Sequence, residues 1–299
     1  MKPSTILTLA LLAGLNVLAS LWMGQQAYSW LPVPASAESL LVDRLFSVLV
    51  ILGTFIFLGI TGTLGYAILT QRTSRFDTSD GPPIEGNVTL EIVWTAIPIV
   101  LVIIIAGYSY NIYERMSLRG PMELVHLEHM AMPPAYAAEM AADSQVEEID
   151  VIAKQWAWTF HYPKQNVTSD ELHLPVDRRV RLSMRSEDVL HGFYVPAFRV
   201  KQDILPKRTI DLEFTPIREG KYRLNDSQFS GTYFAIMEAN VLVESPAAYE
   251  NWLDTAANLK PIPAENAALT EYTTASKKAV RTGWATVVPA EPPLVNRSL

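Results

Sequence analysis

The hydrophobic pattern of the chain changes character near residue 148. Before that point apolar residues come in long unbroken stretches. After it they come in short alternating runs. The stretches are ILTLALLAGLNVLASLWM at 6–23, LFSVLVILGTFIFLGITGTLGYAILT at 45–70 and IVWTAIPIVLVIIIAGYSYNIY at 92–113. A membrane-crossing helix needs about 20 apolar residues. The second and third stretches meet that length and predict a transmembrane hairpin over 43–113, with helices at about 45–70 and 90–113. The first stretch has two readings. It is a removable signal peptide, with the small residues Ala35-Ser36-Ala37 as its cleavage site, or it is a membrane segment that stays in the chain. Residues 1–37 are open between the two.

Arg72 and Arg75 lie hard against the end of the second stretch. Positive residues there favour the cytoplasmic side. A hairpin with its loop inside places both of its ends outside, so everything beyond Tyr113 is expected to be extracytoplasmic. Tyr108, Tyr110 and Tyr113 suit an interfacial aromatic belt.

Beyond Glu148 the runs EIDVIAKQWAWTFHYP, ELHLPVD, RVRLSMRSED, GFYVPAFRVKQDILP, TIDLEFTP, GKYRLND and YFAIMEANVLVES alternate apolar and polar positions. Pro, Asn, Asp and Gly punctuate them. This spacing predicts an all-β sandwich over 148–245. Residues 114–147 read as a linker. It carries His126, His129, Met130 and Met132, types that could catch copper or could simply belong to a connector. SPAAYENWLDTAANL reads as a short helix, with Ser245 as cap and Pro246 in the first helical position. The remainder of 246–299 is rich in Pro, Ala and Thr without a period, and is expected to be a disordered tail.

Composition narrows the chemistry. Charged residues make up 18% of the chain, against about a quarter in average soluble domains, which agrees with a membrane-embedded part. There is no cysteine. Disulfides, thiolate metal sites and iron–sulfur clusters are therefore excluded. A net charge of −7 argues against a nucleic-acid partner.

Four stretches, in order and separation, resemble subunit II of the haem-copper terminal oxidases. VTLEIVWTAIPIVLVII is similar to its second transmembrane helix. AKQWAWTFHYP is similar to the aromatic stretch near the start of its cupredoxin domain. EDVLHGFYVPAFRVKQDILPKR resembles the strand and loop with the first copper ligand, and FTPIREGKYRLNDSQFSGTYFAIMEANVLVES the ligand loop and last strand. The implied fold is a membrane α-helical hairpin plus an extracytoplasmic, cupredoxin-like all-β sandwich. The implied work is oxygen reduction coupled to electron transport and proton translocation, with the chemistry in subunit I and with subunits I and III as partners.

In copper-bearing members of that family the domain holds a binuclear centre on a C-x-E-x-C-x-x-x-H-x-x-M loop and one earlier histidine. The earlier histidine corresponds to His191 and the methionine to Met237. The cysteine positions hold Asp226 and Ser230, the glutamate position Gln228, and the second histidine position Phe234. Two copper ions sharing an electron need soft bridging sulfur, so these six are expected to be vestigial copper-site positions. No cofactor is expected in this chain, and a mononuclear copper on His191 and Met237 is not expected either. Gln228 also lacks the charge with which the family's glutamate binds magnesium. Glu91 matches a glutamate at the cytoplasmic mouth of a proton pathway. Its alternative reading is a carboxylate favoured by the helix dipole, after Asn87 or Thr89 as cap. Trp156 matches the tryptophan through which electrons arrive from cytochrome c, a role expected to lapse without copper beneath it.

GQQAYSWLP, DGPPIEGN and DSQFSGTYFAIM look most like the alternative respiratory oxidase subunits of cyanobacteria. That branch implies a membrane quinol as donor, in a plasma or thylakoid membrane with the C-terminal domain periplasmic or lumenal. Two other readings compete. One is a cytochrome c oxidase subunit fed by a soluble carrier without the usual copper, for which an acidic patch at Glu187 and Asp188 would speak. The other is a stand-alone, membrane-anchored cupredoxin-like binding protein.

Overall fold

The computed structural model describes residues 3–72, 76, 86–116, 146–277 and 286–297. The linker histidines and methionines, Arg75 and most of the DGPPIEGN segment lie outside the described residues. Three helices are long and apolar enough to cross a membrane: α1 (Pro3–Ala27), α2 (Ala37–Thr70) and α3 (Val88–Arg115). Residues up to Leu31 and Leu41–Arg115 form one compact unit.

α2 starts earlier than the apolar pattern predicts, because a polar first turn is stabilised locally. Ser36 and Ser39 cap it reciprocally: Ser39 N–H donates to Ser36 Oγ at 3.0 Å and Ser36 N–H to Ser39 Oγ at 3.3 Å. Such paired bonds satisfy donors that a helix start leaves free. At α3 the cap is Asn87, whose Oδ1 accepts from Leu90 N–H at 3.2 Å.

The second unit comprises Pro32–Leu40 and the chain beyond Met116. Its frame is the expected sandwich. One sheet runs β3 (Val167–Ser169), β2 (Ala157–Tyr162), β1 (Glu147–Lys154), β5 (Val180–Ser186) and β8 (Thr209–Phe214). The other runs β4 (Leu172–Pro175), β10 (Glu238–Glu244), β9 (Gly220–Asp226), β6 (His191–Val195) and β7 (Val200–Ile204). Alternate residues point inward, as the period-two pattern requires. Ile149, Val151 and Ala153 of β1 and Trp158, Phe160 and Tyr162 of β2 are buried among Leu182, Phe193, Phe214 and Leu224.

Two sequence-based expectations need correction. Residues 32–37, expected as the end of an N-terminal segment 1–37, group with the β domain, and so do residues 38–40. Ser36 bridges Pro216, Ala37 N–H donates to Thr215 O at 2.9 Å, and Ile217 N–H donates to Ala35 O at 2.9 Å. The tail, expected to be disordered, is ordered over its described part. It follows α4 (Pro246–Ala257), the short helix the sequence predicts, capped by Ser245 as expected. β11 (Pro261–Pro263) pairs with β12 (Leu294–Asn296), and α5 (Ala267–Ser276) is capped by Asn266. Asparagine side chains replace the missing hydrophobic period. Asn266 Nδ2 donates to Ala290 O at 2.9 Å. Asn296 accepts from Thr168 N–H at 2.9 Å and donates to Leu259 O at 2.8 Å.

Candidate functional site

β6 begins at His191 and β9 ends at Asp226, and the two strands pair antiparallel with Phe193 opposite Asp226. This register brings the positions of the first histidine and first cysteine to the same end of the sheet. The loop 227–237 then turns back into β10. His191 is fully buried. Its Nδ1–H donates to Asp226 Oδ2 at 2.8 Å and its Nε2–H to Asp188 Oδ1 at 3.0 Å. Carboxylates facing both ring nitrogens favour the imidazolium, the form with two N–H donors. Burial opposes that charge, but the hydrogen bonds and charges of Asp188 and Asp226 outweigh it and hold the pKa above the ordinary 6.5.

Asp226 is the hub. Its Oδ1 accepts from Gly192 N–H at 2.7 Å and Gln228 N–H at 3.1 Å, and its Oδ2 accepts from Ser230 Oγ–H at 2.7 Å as well as from His191. Asp188 accepts from Gln155 N–H and Val189 N–H, both at 2.7 Å. Burial pushes the Asp188 pKa up, yet these bonds and His191 bring it below 3.8. Asp188 is thus turned onto His191 rather than forming a free acidic patch with Glu187, which pairs with Lys154 at 3.2 Å. The sequence signal for this was its position three residues before a histidine.

The other predicted positions are arranged around the hub. Ser230 is buried within it. Gln228 turns its amide to Asp203 Oδ1 at 2.8 Å. Met237 is buried in the hydrophobic core, and its carbonyl accepts from Trp158 Nε1–H at 3.2 Å and Asp226 N–H at 3.1 Å. Phe234 opens a 3₁₀ turn, Phe234–Ile236, and packs edge-on against Phe229 with ring centres 5.1 Å apart. A binuclear copper centre does not fit these side chains. The bridging positions carry a carboxylate and a hydroxyl, one imidazole position is a phenyl ring, and both nitrogens of the remaining imidazole are engaged by carboxylates. Among the described residues no group of three or more His, Asp or Glu could hold a metal ion.

Gly231 closes the loop at φ +116°, and a Cβ there would stand 2.8 Å from Trp156 Cζ2. Gly231→Ala is therefore expected to cost about 1–3 kcal/mol through strain alone, read as a lower denaturation midpoint at unchanged slope.

Trp156 is 3% exposed and meets Tyr233 edge-on at 5.1 Å. The C-terminal segment lies beside it. Ala290 N–H donates to Gln155 O at 2.6 Å, and a cleft of about 210 Å³ is lined by Trp156, Trp158 and Glu238 on one side and Glu265, Asn266 and Pro293 on the other. Glu91 lies apart from this cluster in sequence and in unit, exposed in the first turn of α3.

Comparisons with known proteins give a consistent picture. The family described as cytochrome c oxidase subunit II, transmembrane domain, matches residues 20–112, and the periplasmic domain of the same subunit matches 164–245. Cytochrome c oxidase subunit 2 of Synechocystis sp. is 36% identical over 293 residues, covering 90% of this chain and 86% of the relative. Quinol oxidase subunit 2 of Bacillus subtilis is 26% identical over 219 residues, covering 72% of this chain and 63% of its own. Among solved structures, the periplasmic domain of subunit II of cytochrome oxidase of Bradyrhizobium japonicum is 25% identical, with a TM-score of 0.35, over 38% of this chain and 93% of that one. Three helices long and apolar enough to cross a membrane, a periplasmic-type sandwich after them, and family matches along both parts place this chain in the cytochrome c oxidase subunit II family, as the second subunit of a haem-copper terminal oxidase.

Proposed function

We propose that this chain is subunit II of a terminal oxidase that works without a copper centre in its periplasmic domain and draws its electrons from a membrane quinol. One observation carries this reading: the histidine at the first ligand position is clamped between the carboxylates of Asp188 and Asp226, one on each ring nitrogen. Copper on Nδ1 would have to displace the buried charge-assisted hydrogen bond from His191 to Asp226, one of the stronger kinds a protein makes, and would gain no thiolate in return. The burial of Trp156, with the C-terminal segment beside it, supports the same conclusion, because a soluble carrier would find little of that ring exposed where the family's carrier delivers electrons.

In this reading subunit II contributes assembly and shape, with oxygen reduction in the large subunit. Glu91, at the polar start of α3, loads protons from the cytoplasmic side. Glu91→Gln then slows oxygen consumption several-fold while the complex still assembles, as judged by its co-purifying haem.

The test is to purify the tagged chain from its native membranes and measure haem, copper and donor preference. Oxidation of quinol without a near-infrared copper band is the expected result. Activity with reduced cytochrome c alone would sink the quinol assignment, and a chain recovered without haem-bearing partners would point to an independent binding protein.

A further inference from the structure

The geometry points to α1 as a permanent third membrane helix, with the chain left uncut after Ala37 despite its peptidase-like Ala35-Ser36-Ala37. Two independent sets of contacts carry this. The first is the seam between α1 and α2. Asn16 Nδ2–H donates to Phe55 O at 3.0 Å, and Ser47 Oγ–H donates to Gly24 O at 2.8 Å. Ser20 is buried between them along the helix. Gly24 lies so close to Ile51 that a Cβ there would collide with the Ile51 side chain. Residues four apart share a helix face, so Asn16, Ser20 and Gly24 form one stripe. Small residues at such a seam let backbones approach, and a polar side chain in a membrane needs a partner. A leader destined for removal needs apolar length only. This helix has a fitted face.

The second set is the strap 32–40. Ala35 and Ser36 are fully buried. Ala35 N–H donates to Ala197 O, and Ser36 Oγ–H to Phe198 O, both at 2.9 Å. Glu38 accepts from Arg179 at 2.8 Å and from Thr215 N–H at 3.1 Å. A cut after Ala37 would remove the partners of Ala197 O, Phe198 O and Ile217 N–H. Buried backbone groups are rarely left in that state. It would also place an ammonium at the start of α2, where the helix dipole disfavours positive charge. The small residues are explained by close packing between 197–198 and 215–217, without any peptidase.

Mass spectrometry of the chain in the oxidase complex purified from native membranes tests the proposal directly. Peptides spanning Ala27–Glu38 and joining α1 to α2 are expected, and a mature N-terminus anywhere from Ala27 to Glu38 overturns it. A second measurement separates retention from need. In a variant with α1 and residues 28–37 replaced by a cleavable leader, so that the chain starts at Glu38, several-fold less assembled complex is expected. Undiminished assembly and melting temperature would show that neither α1 nor the strap supports the fold, and would overturn the structural half of the argument. Neither readout depends on the electron donor, so failure here leaves the quinol assignment untouched.

Discussion

Asp226→Ala lowers the stability of the β domain by about 3–5 kcal/mol, the range for removing one partner of a buried ion pair. The substitution strips four donors at once: His191 Nδ1–H, Ser230 Oγ–H and the N–H groups of Gly192 and Gln228. The imidazolium keeps only Asp188. Asp226→Asn separates the contributions. It retains an oxygen for the two backbone donors but loses the charge opposite His191, so a smaller loss is expected. Chemical denaturation of the purified variants, followed by tryptophan fluorescence, reads both. Equal losses for Ala and Asn would assign the effect to charge alone. A loss under about 1 kcal/mol, as for an exposed ion pair, would mean that the cluster does not hold the domain together.

The same cluster sets a pH dependence. His191 has its pKa raised by folding, so its contribution is complete below its ordinary value of 6.5 and disappears as pH rises through the folded-state value. Asp188 has its pKa lowered, so its contribution is complete above 3.8 and disappears as pH falls through its folded-state value. Stability from the pair is therefore greatest in mildly acidic solution and falls on the alkaline side. His191→Gln is expected to flatten that alkaline fall, and an unchanged profile in the variant would remove His191 as its source.

Much of this was legible in the sequence, for reasons that differ by region. The sandwich could be read because period-two alternation survives in strands with one buried face, as in Ile149, Val151 and Ala153 of β1. The loop positions could be read only through the resemblance to the family's ligand loop, since the side chains they carry give no metal-site signal of their own. The strap could not. Ala35 and Ser36 are buried for their small size, and small residues in a row give no period and mimic a cleavage site. Nor could the tail, whose order rests on asparagine side chains reaching backbone groups far away in sequence, such as Asn296 to Thr168. Asp188 was visible but looked solvated, because only the fold shows that it turns back onto His191.

The surviving geometry makes one reversal testable. In the variant Asp226→Cys, Gln228→Glu, Ser230→Cys and Phe234→His, a purple binuclear copper site is expected on adding copper to the purified chain. Three of its positions already converge: Ser230 Oγ and His191 Nδ1 both reach the same oxygen of Asp226, at 2.7 and 2.8 Å. Two thiolates placed there would face each other across the space now held by the carboxylate, with His191 Nδ1 aimed at them once its proton leaves. Asp188 stays bonded to Nε2, and a carboxylate on the far nitrogen of a ligating imidazole raises its basicity and fixes its orientation. Phe234 is the demanding position. It is half-buried against exposed Phe229, so its imidazole replacement must turn inward from the 3₁₀ turn. A variant that folds and binds one copper but shows no mixed-valence spectrum would place the fault at that turn. A folded variant that takes up no copper would mean that the cavity itself has closed around the Asp188–His191–Asp226 cluster.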